Sequence, residues 1–334
     1  MQIWNSLAEV PADLPRTVVT IGNFDGVHRG HRAVLERVVE LSHRLDALSV
    51  AVTFWPHPRV VHQPGAEHEE ILSAEQRAVA LEATGLDALF LQEYTLEFAS
   101  QSPEKFVERM FVCGLNAGTV VVGRDVRFGR GNSGDFATLV TLGERFGFEV
   151  AAVEDLPMRG EDGEHRRCSS TWIREALAAG DVTTAARILG RHHVIAGEVV
   201  HGYARGRTLG FPTANLEYEV AGMVPADGVY AGWLHDAAGT AWPAAVSIGS
   251  NPTFEGVSRV VEAHVIDRPE EPVEAFDLYG QHVEIEFVAR LRGMVAYEGV
   301  EKLVAQMHDD VDRAREILAA APSRPEPAPA AADA

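Results

Sequence analysis

The chain has 334 residues, of which 46% are hydrophobic and 23% charged, proportions typical of a globular protein of about two domains. Its net charge of −20 argues against broad nucleic-acid binding, because phosphate neutralisation needs dense positive charge. No apolar run reaches the ~18 residues of a membrane helix. The N-terminus shows no export signal, and two cysteines form no disulfide framework, so we expect a cytoplasmic protein with no membrane partner.

The first half of the chain alternates strand-like and helix-like segments. Short runs rich in β-branched residues predict five strands: Val18–Gly22, Leu48–Phe54, Ala88–Gln92, Thr119–Gly123 and Phe148–Val153. Helical spacing of apolar residues predicts helices between them, among them His31–Leu45, Ser73–Gly85 and Ser102–Phe111. Such alternation predicts a mostly parallel, doubly wound sheet, in which ligands bind beyond the carboxyl ends of the strands.

From about Arg187 the pattern changes to short strands separated by Gly, Pro and Asp turns. Several of these strands alternate apolar and polar residues, which predicts an antiparallel sheet. One long amphipathic helix pattern covers Tyr297–Leu318. We therefore predict an N-terminal α/β domain over residues 1–184 and a small β-barrel with a C-terminal helix over residues 185–320. The Pro/Ala-rich residues 321–334 are expected to be disordered.

A loop with two histidines follows the first predicted strand, in the stretch GNFDGVHRGH that ends at His31. A helix N-terminus offers unpaired N–H groups and a positive dipole end, which suit a phosphate. Glycines at positions 22, 26 and 30 allow a ligand to approach the backbone closely. His28 and His31 can donate hydrogen bonds to a triphosphate. The alternative is a pair of surface histidines near a turn, but strand, loop and helix together favour the phosphate site.

A second segment, RRCSSTWIREAL from Arg166 to Leu177, places arginines on both sides of three hydroxyls before a predicted helix. Ser169, Ser170 or Thr171 would serve as ordinary N-caps, while Arg174 would serve equally as a phosphate clamp. The chain's two lysines lie outside any P-loop pattern. Phosphate chemistry would therefore use arginine, histidine, backbone amides and metal.

The second half has its own Gly/Arg-rich stretch, VVHGYARGRTLGFPTANL. Gly202 and Gly206 allow a loop whose backbone wraps a phosphate, and Arg205 and Arg207 add charge that suits an anion. The alternative is a β-hairpin with a Gly-rich turn. The continuous pattern into the Phe-Pro-Thr-Ala-Asn segment is more specific than such a turn.

Three oxygen-bearing side chains complete the candidate residues of the second half. Thr213 and Asn215 offer hard oxygen ligands suited to Mg²⁺, which prefers few protein ligands plus phosphate oxygens. Glu262 lies in a predicted strand; if the strand turns it inward, burial should raise its pKa toward that of a working general base. The alternative is a solvent-facing carboxylate on the wet side of the sheet.

The motifs TIGNFDGVHRGH, TFWPHP, VVVGRDVRFGRGNSG and CSSTWIR resemble the adenylyltransferase module of bacterial bifunctional FAD synthetases, within the nucleotidyltransferase superfamily. The resemblance implies that the FMN phosphate attacks the α-phosphorus of ATP, forming FAD and releasing pyrophosphate. It implies that ATP and its phosphates contact Gly22, Phe24, His28, Gly30, His31, Asp125, Arg167, Ser170, Thr171 and Arg174. It implies that the flavin contacts Phe54, His57, Pro58 and Phe128. Trp55 and Val126 depart from the family pattern, which bears on the shape of the flavin pocket.

The later motifs GRTLGFPTANL, PADGVYAGW, SIGSNPTF, VEAHVID and DLYG resemble riboflavin kinase. This implies transfer of the γ-phosphoryl group of Mg-ATP to the ribityl 5′-hydroxyl of riboflavin. By the same resemblance Glu262 accepts the hydroxyl proton, while Thr213 and Asn215 position Mg²⁺ and the nucleotide phosphates. The two resemblances imply ATP, riboflavin and FMN as small-molecule substrates, FAD as product and a divalent cation as cofactor.

Two other functions fit parts of the sequence. One is a different His-x-Gly-His adenylyltransferase, with nicotinate mononucleotide or phosphopantetheine as acceptor; the motifs of the second half argue against it. The other is a flavin-binding regulator without turnover, against which His28, His31 and Glu262 argue. The sequence leaves self-association open.

Overall fold

The computed structural model describes residues 1–65, 68–160, 163–201, 210–217, 219–253, 256–267, 278–295 and 297–321. The chain divides into two compact units, residues 1–170 and residues 171–334. The predicted tail lies almost wholly outside the described residues.

The first unit is built on a six-stranded sheet of order β1-β4-β3-β2-β5-β6, in which every neighbouring pair is parallel. Its strands are β1 (Gln2–Trp4), β2 (Thr17–Ile21), β3 (Leu48–Trp55), β4 (Ala88–Glu93), β5 (Ala117–Gly123) and β6 (Glu149–Val153). The five predicted strands are confirmed, and β1 is an addition. The chain runs from β2 to β3 and β4 on one side, then crosses to β5 and β6. The topological switch point therefore lies between β2 and β5.

In the described part of this unit the strands are connected by the helices α1 (Arg29–Leu45), α2 (Pro58–His62), α3 (Ala74–Glu82), α4 (Leu96–Ala99), α5 (Pro103–Phe106) and α6 (Phe136–Phe146). The predicted helices correspond to α1, α3 and α5, and α5 continues as a π-helix over Val107–Gly114. Helix α6 was not predicted, although Asp135 caps its start and Gly147 ends it in the left-handed conformation. A short hairpin, β7 (Pro157–Arg159) and β8 (His165–Arg167), follows β6.

The strands of this sheet are buried on both faces. Val18 and Val19 are adjacent in β2, so their side chains point to opposite faces, yet both are fully buried. Val50 and Ala51 in β3 show the same double burial. This explains why the strands appear in the sequence as continuous apolar runs rather than as an alternation.

The second unit contains α7 from Thr171 onward, α8 (Val182–Leu189) and a closed barrel of order β10-β13-β12-β11-β14-β9. All the barrel pairs for which a register is defined are antiparallel. The strands are β9 (His193–Val200), β10 (Ala214–Leu216), β11 (Gly228–His235), β12 (Ala241–Thr253), β13 (Gly256–Val265) and β14 (His282–Arg292). Helix α7 spans Ser170–Ala179 as a whole. The predicted barrel and its C-terminal helix, α9 (Val300–Ala320), are confirmed.

Helix α9 lies on the outer face of the barrel. Ala314 and Leu318 of α9 pack with barrel residues that include Val229 and Ala245. Arg292 of β14 makes a bidentate pair with Asp310, with nitrogen–oxygen distances of 3.0 Å and 2.7 Å. The apolar stripe and this largely buried ion pair together fix the helix on the barrel.

One buried histidine at the start of β9 has an unusual environment. His193 is 1% exposed, and its Nε2–H donates to the carbonyl oxygen of Met223 at 2.6 Å. Its Nδ1 has no hydrogen-bond partner among the described residues. Burial lowers the pKa of His193 from 6.5 to about 4, although the bond to Met223 acts in the opposite direction. Protonation of this ring is therefore coupled to unfolding.

We expect the free energy of unfolding to decrease as the pH falls from 7 to 4. The unfolded chain takes up a proton at His193 near pH 6.5, whereas the folded chain does so only near pH 4. This difference lowers the free energy of unfolding by about 3 kcal/mol over that pH range. Urea unfolding of the protein and of His193→Gln at pH 7, 5.5 and 4 would measure this. Glutamine keeps a donor for Met223 and does not titrate, so the stability difference between the two proteins should change with pH. A difference that stays constant would contradict the expectation.

Candidate active sites

A cavity of about 430 Å³ opens at the carboxyl ends of β2, β3, β4 and β5, beside the switch point. Five residues that the resemblance assigned to the nucleotide or the flavin line it: Gly22, Phe54, Pro58, Asp125 and Phe128. Val126, one of the departures from the family pattern, lies in the same wall. The cavity lies where the rule for parallel strands predicts a ligand site, beyond their carboxyl ends.

Aromatic rings form most of the apolar wall of this cavity. The ring centroids of Phe54 and Tyr94 lie 5.4 Å apart, and those of Phe54 and Phe98 lie 5.9 Å apart. Phe106 continues the row, at 5.9 Å from both Phe98 and Phe128. Tyr94, Phe98 and Phe106 were not predicted, although Tyr94 follows β4 directly and the strand-end rule points to it. A cavity lined in this way suits a planar ring ligand.

His57 does not line this cavity. Its Nδ1 accepts a hydrogen bond from the backbone N–H of Arg59 at 3.2 Å and so caps α2. Its ring lies against that of His68, with centroids 4.0 Å apart. Trp55 is 44% exposed. Both side chains are thus outside the cavity wall.

The loop between β2 and α1 has a strained backbone. Phe24 and Val27 have φ angles of 47° and 40°, in the left-handed region that non-glycine residues seldom adopt. Phe24 is 2% exposed, and its ring lies so close to Gly22 that a Cβ there would be 3.0 Å from Phe24 Cζ. Strain of this kind persists only where surrounding contacts hold the chain in place.

The two histidines meet at the start of α1. His28 is the N-cap, and its Nδ1 accepts from the backbone N–H of His31 at 3.2 Å. The two rings are stacked, with centroids 3.6 Å apart and an interplanar angle of 18°. A Cβ on Gly30 would lie 3.1 Å from His28 Cε1, so a larger residue at this position would press on the His28 ring. The imidazoles and the helix N-terminus therefore lie together after β2.

The electrostatics of this pair favour a neutral His31. Burial lowers the pKa of His31 well below its usual value, and positive charge on His28 and Arg167 acts in the same direction. His31 Nδ1 has no hydrogen-bond partner in the described part of the chain. An anion beside the ring would favour protonation, because an opposite charge stabilises the charged form.

The second predicted motif brings a cation and a hydroxyl to the same loop. Arg167 forms an ion pair with Asp125, and its guanidinium also lies 3.4 Å from Asp155. The hydrogen bond with Asp125 raises the pKa of Arg167. Ser170 Oγ donates to the carbonyl oxygen of Asp25 at 2.8 Å. Arg167 is thus paired with a residue that follows β5, whereas Ser170 is bound to the loop that follows β2, and all of these residues lie in the first unit.

The remaining residues of this motif have different positions. Thr171 and Arg174 lie on α7, within the second unit, where Thr171 is exposed and Arg174 half-buried. Cys168 is 4% exposed, in agreement with the packing role that its lack of a neighbouring base suggests.

A buried carboxylate that the sequence did not single out also holds the loop. Asp25 is 1% exposed, and its Oδ1 accepts hydrogen bonds from the backbone N–H groups of Ile71 and Leu72 at 3.0 Å and 3.3 Å. The segment before α3 is thereby tied to the loop that carries His28. Only the fold brings these positions together.

The second unit gathers its predicted residues on the outer face of the barrel. Glu262 of β13 lies opposite Asn215 of β10 on one side and Ser247 of β12 on the other. The adjacent residues Val261 and Ala263 are buried at 2% and 0% exposure and turn to the barrel interior. Glu262 therefore does not turn inward but is half-buried on the outer face, on the same side of its strand as Asn215 and Ser247.

Strand β10 and the segment just before it carry the other two side chains that offer oxygen ligands, Asn215 in the strand and Thr213 before it. Asn215 is 8% exposed, and its Nδ2 lies 3.4 Å from Thr213 Oγ1. His264 of β13 donates from Nδ1 to the carbonyl oxygen of Pro212 at 2.9 Å, which holds the segment on the strand. The oxygens of Thr213, Asn215 and Glu262 are of the hard type that Mg²⁺ prefers. The predicted phosphate-binding residues of the preceding loop lie outside the described residues: Gly202, Arg205, Gly206 and Arg207.

Similarity to known proteins follows the division between these two sites. A family model described as FAD synthetase matches residues 10–171, and one described as riboflavin kinase matches residues 189–318. A bifunctional riboflavin kinase/FMN adenylyltransferase of Pseudomonas fluorescens is 37% identical over 96% of this chain and 98% of its own. The chain belongs to this family of bifunctional enzymes. The family member of Escherichia coli (strain K12) is 32% identical, over 94% and 96% of the two chains.

A solved structure agrees with the fold described here. The crystal structure titled macrolide-efflux protein from Streptococcus pneumoniae superposes with a TM-score of 0.81 at 30% identity, covering 94% of this chain and 98% of that one. In the part of the present chain that the structure describes, no helix is long and apolar enough to cross a membrane.

We expect Asp25→Ala to loosen the loop of the FMN adenylyltransferase unit. Removal of the carboxylate leaves two buried N–H groups unpaired, and an unpaired buried donor costs about 1–3 kcal/mol of stability. Hydrogen exchange at Ile71 and Leu72 should become roughly tenfold faster or more. Asp135→Ala removes a carboxylate that caps α6 instead and should leave exchange at both amides unchanged. Unaltered exchange in Asp25→Ala would contradict the anchoring role.

Proposed function

We propose that the second unit phosphorylates riboflavin to FMN and that the first unit adenylylates FMN to FAD, each with ATP. The observation that carries this assignment is the presence of two separate candidate sites in one chain. One combines stacked histidines at a helix N-terminus with an aromatic cavity, and the other combines Glu262 with Asn215 on a barrel face. Each site lies under its own family match.

In the adenylyl transfer, an oxygen of the FMN phosphate attacks the α-phosphorus of ATP. The bond from that phosphorus to the bridging oxygen breaks, and pyrophosphate leaves. His28, His31 and the N-terminus of α1 stabilise the negative charge on the phosphate oxygens. Ser170 and Arg167 of the first unit hold the triphosphate, and Gly22, Phe24 and Gly30 let the backbone approach it. The contribution of Thr171 and Arg174, which the family resemblance implies, remains a prediction.

The isoalloxazine ring occupies the aromatic cavity in this proposal. Phe54, Pro58 and Phe128 provide apolar surface for it. Asp125 lines the same cavity and faces the nucleotide in this proposal. His57 lies outside the cavity wall, so its contribution is to hold α2, which begins at Pro58. Because a tricyclic ring makes a larger contact with these aromatic side chains than a smaller acceptor does, the lining favours the flavin.

In the kinase reaction, the ribityl 5′-hydroxyl oxygen attacks the γ-phosphorus of ATP. Glu262 accepts the hydroxyl proton as the bond to the bridging oxygen breaks and ADP leaves. Thr213 and Asn215 fit a divalent cation that is held mainly by phosphate oxygens, and when bound Mg²⁺ neutralises charge on those phosphates. The loop with Gly202, Arg205, Gly206 and Arg207 contributes phosphate contacts.

We assign residues 1–184 to the adenylyltransferase domain and residues 185–320 to the kinase domain, so residues 171–184 of the second compact unit are counted with the adenylyltransferase. Both reactions are assigned to the cytoplasm. The extents of the two family matches support the assignment of domains. Cys113 and Cys168 are unpaired thiols, which supports a reducing compartment.

The experiment that tests this function is chromatography of flavins after incubation of riboflavin with Mg-ATP. We expect FMN and then FAD to appear. Nicotinate mononucleotide and phosphopantetheine offered in parallel should remain unchanged. Riboflavin and FMN both left unaltered, or another acceptor consumed, would contradict the assignment.

Variants should separate the two steps. Glu262→Gln should stop FMN formation from riboflavin while FAD still forms from supplied FMN, because the base of one reaction takes no part in the other. His28→Ala should do the reverse and accumulate FMN, with adenylyl transfer about 10²–10³-fold slower. Glu198→Gln, an exposed strand carboxylate of the same barrel, should keep both steps. Loss of both steps in either folded variant would contradict this division.

A further inference from the structure

A buried arginine lies behind the loop that follows β2. Arg77 of α3 is 1% exposed and is among the largest fully buried side chains of the described chain. Its Nη1–H donates to the carbonyl oxygen of Asn23, and its Nη2–H donates to that of Phe54, each at 3.1 Å. The capping box between Ser73 and Gln76 fixes the start of α3, so the guanidinium projects from a rigid turn.

The two carbonyls lie where β2 and β3 separate. The strands pair up to Ile21 and Val52, and the backbone N–H of Gly22 still donates to the Val52 carbonyl at 3.1 Å. Beyond this point the Asn23 carbonyl accepts from Thr53 Oγ1 at 3.0 Å and from the guanidinium. Arg77 thus replaces the regular ladder at the position where the sheet opens to form the cavity.

The residues held in this way also line the cavity. Asn23 and Phe54 are part of its wall, whereas Arg77 is not among its lining residues. The guanidinium fork joins one carbonyl from each side, and two different nitrogens are needed to do so. A lysine ammonium is a single point charge and lacks this planar fork.

The same segment offsets strain in the histidine loop. Phe24 and Val27 have left-handed backbones, which are unfavourable for residues with a side chain. Arg77 holds the residue before Phe24, and the N–H groups of Ile71 and Leu72 hold Asp25. The loop that presents the histidines therefore takes its shape from residues 71–77.

We propose that Arg77 is a positioning residue for adenylyl transfer. By joining the carbonyls of Asn23 and Phe54, it sets the width of the flavin cavity and holds the loop that carries His28 and His31. It touches no substrate, and its effect passes through the main chain of these two residues. This inference rests on the proposed function of the first unit.

The test compares Arg77→Met and Arg77→Lys in both reactions of the full-length chain. We expect Arg77→Met to lower kcat/KM for FMN about 100-fold, since a displacement of about 1 Å can have that effect. Arg77→Lys should recover part of this loss. The KM for FMN should rise more than that for ATP, because both held residues line the proposed flavin cavity. The kcat and KM for riboflavin phosphorylation should remain unchanged.

A control arginine lies at the other end of the same strands, just before β2. Arg16 Nη2 donates to the carbonyl oxygen of Gly147 at 3.2 Å, and Arg16→Met should keep both reactions. Thr53→Val removes the other donor to the Asn23 carbonyl with little change of volume. Its effect combined with Arg77→Lys should deviate from additivity, since both donors serve one acceptor.

Wild-type kcat/KM for FMN in both Arg77 variants would overturn the proposal. Equal losses in adenylyl transfer and in phosphorylation would also overturn it, because they indicate general destabilisation rather than positioning. If the effects of Thr53→Val and Arg77→Lys on kcat/KM are additive, the two donors do not act through the shared Asn23 carbonyl, which would contradict the proposed mechanism. Failure of the proposed function has a different signature, namely no FAD formed from FMN by the unaltered chain.

Discussion

The separation of β2 from β3 at the carboxyl edge of the sheet is the constraint on which the first unit depends. A cavity at this edge requires the strands to part, and parting leaves main-chain carbonyls without ladder partners. Buried carbonyls of this kind must be satisfied by other donors. Thr53 and Arg77 supply those donors to Asn23, and Arg77 also serves Phe54. The same donors therefore hold the opened edge of the sheet and the start of the loop that leads to the stacked histidines.

The barrel of the second unit differs from this open sheet, because it is closed and side chains fill its interior. The side chains of Val246, Ile248 and Ala263 are fully buried, so no polar group of the candidate site lies among them. The register then places Glu262, Asn215 and Ser247 on the outer face in adjacent strands. The three residues of β10 are enough to bring the Asn215 amide opposite the Glu262 carboxylate of β13.

Much of the architecture could be predicted because both halves follow strong periodic patterns. Strands β2 to β6 are apolar on both faces, and the barrel strands alternate, so each sheet type is recognisable. Strand β1 was missed because three residues carry no measurable period. The orientation of Glu262 stayed open because Val260 and Val261 are both apolar, which leaves two possible faces. Only pairing with the flanking strands decides between them.

The candidate site was predictable where its residues follow a strand or open a helix, and not elsewhere. Gly22, Phe54, Asp125 and Phe128 lie in recognisable motifs and do line one cavity. Phe98 and Phe106 lie on short helices whose positions depend on tertiary packing, and in the sequence they resemble ordinary core residues. Arg77 was invisible for a related reason. An arginine on a weakly amphipathic helix is expected to be exposed, and its burial is explained only by carbonyls from two distant strands.

This enzyme acts on phosphates, but its two lysines, Lys105 and Lys302, are exposed on helices, as their positions in the sequence suggest. Other residues must therefore supply the positive charge that phosphates need. In the first unit the charge of Arg167 is already paired with Asp125, and His31 is held neutral by burial and by its positive neighbours. An incoming polyphosphate would therefore compete with a carboxylate for the guanidinium and would itself favour the protonated imidazole.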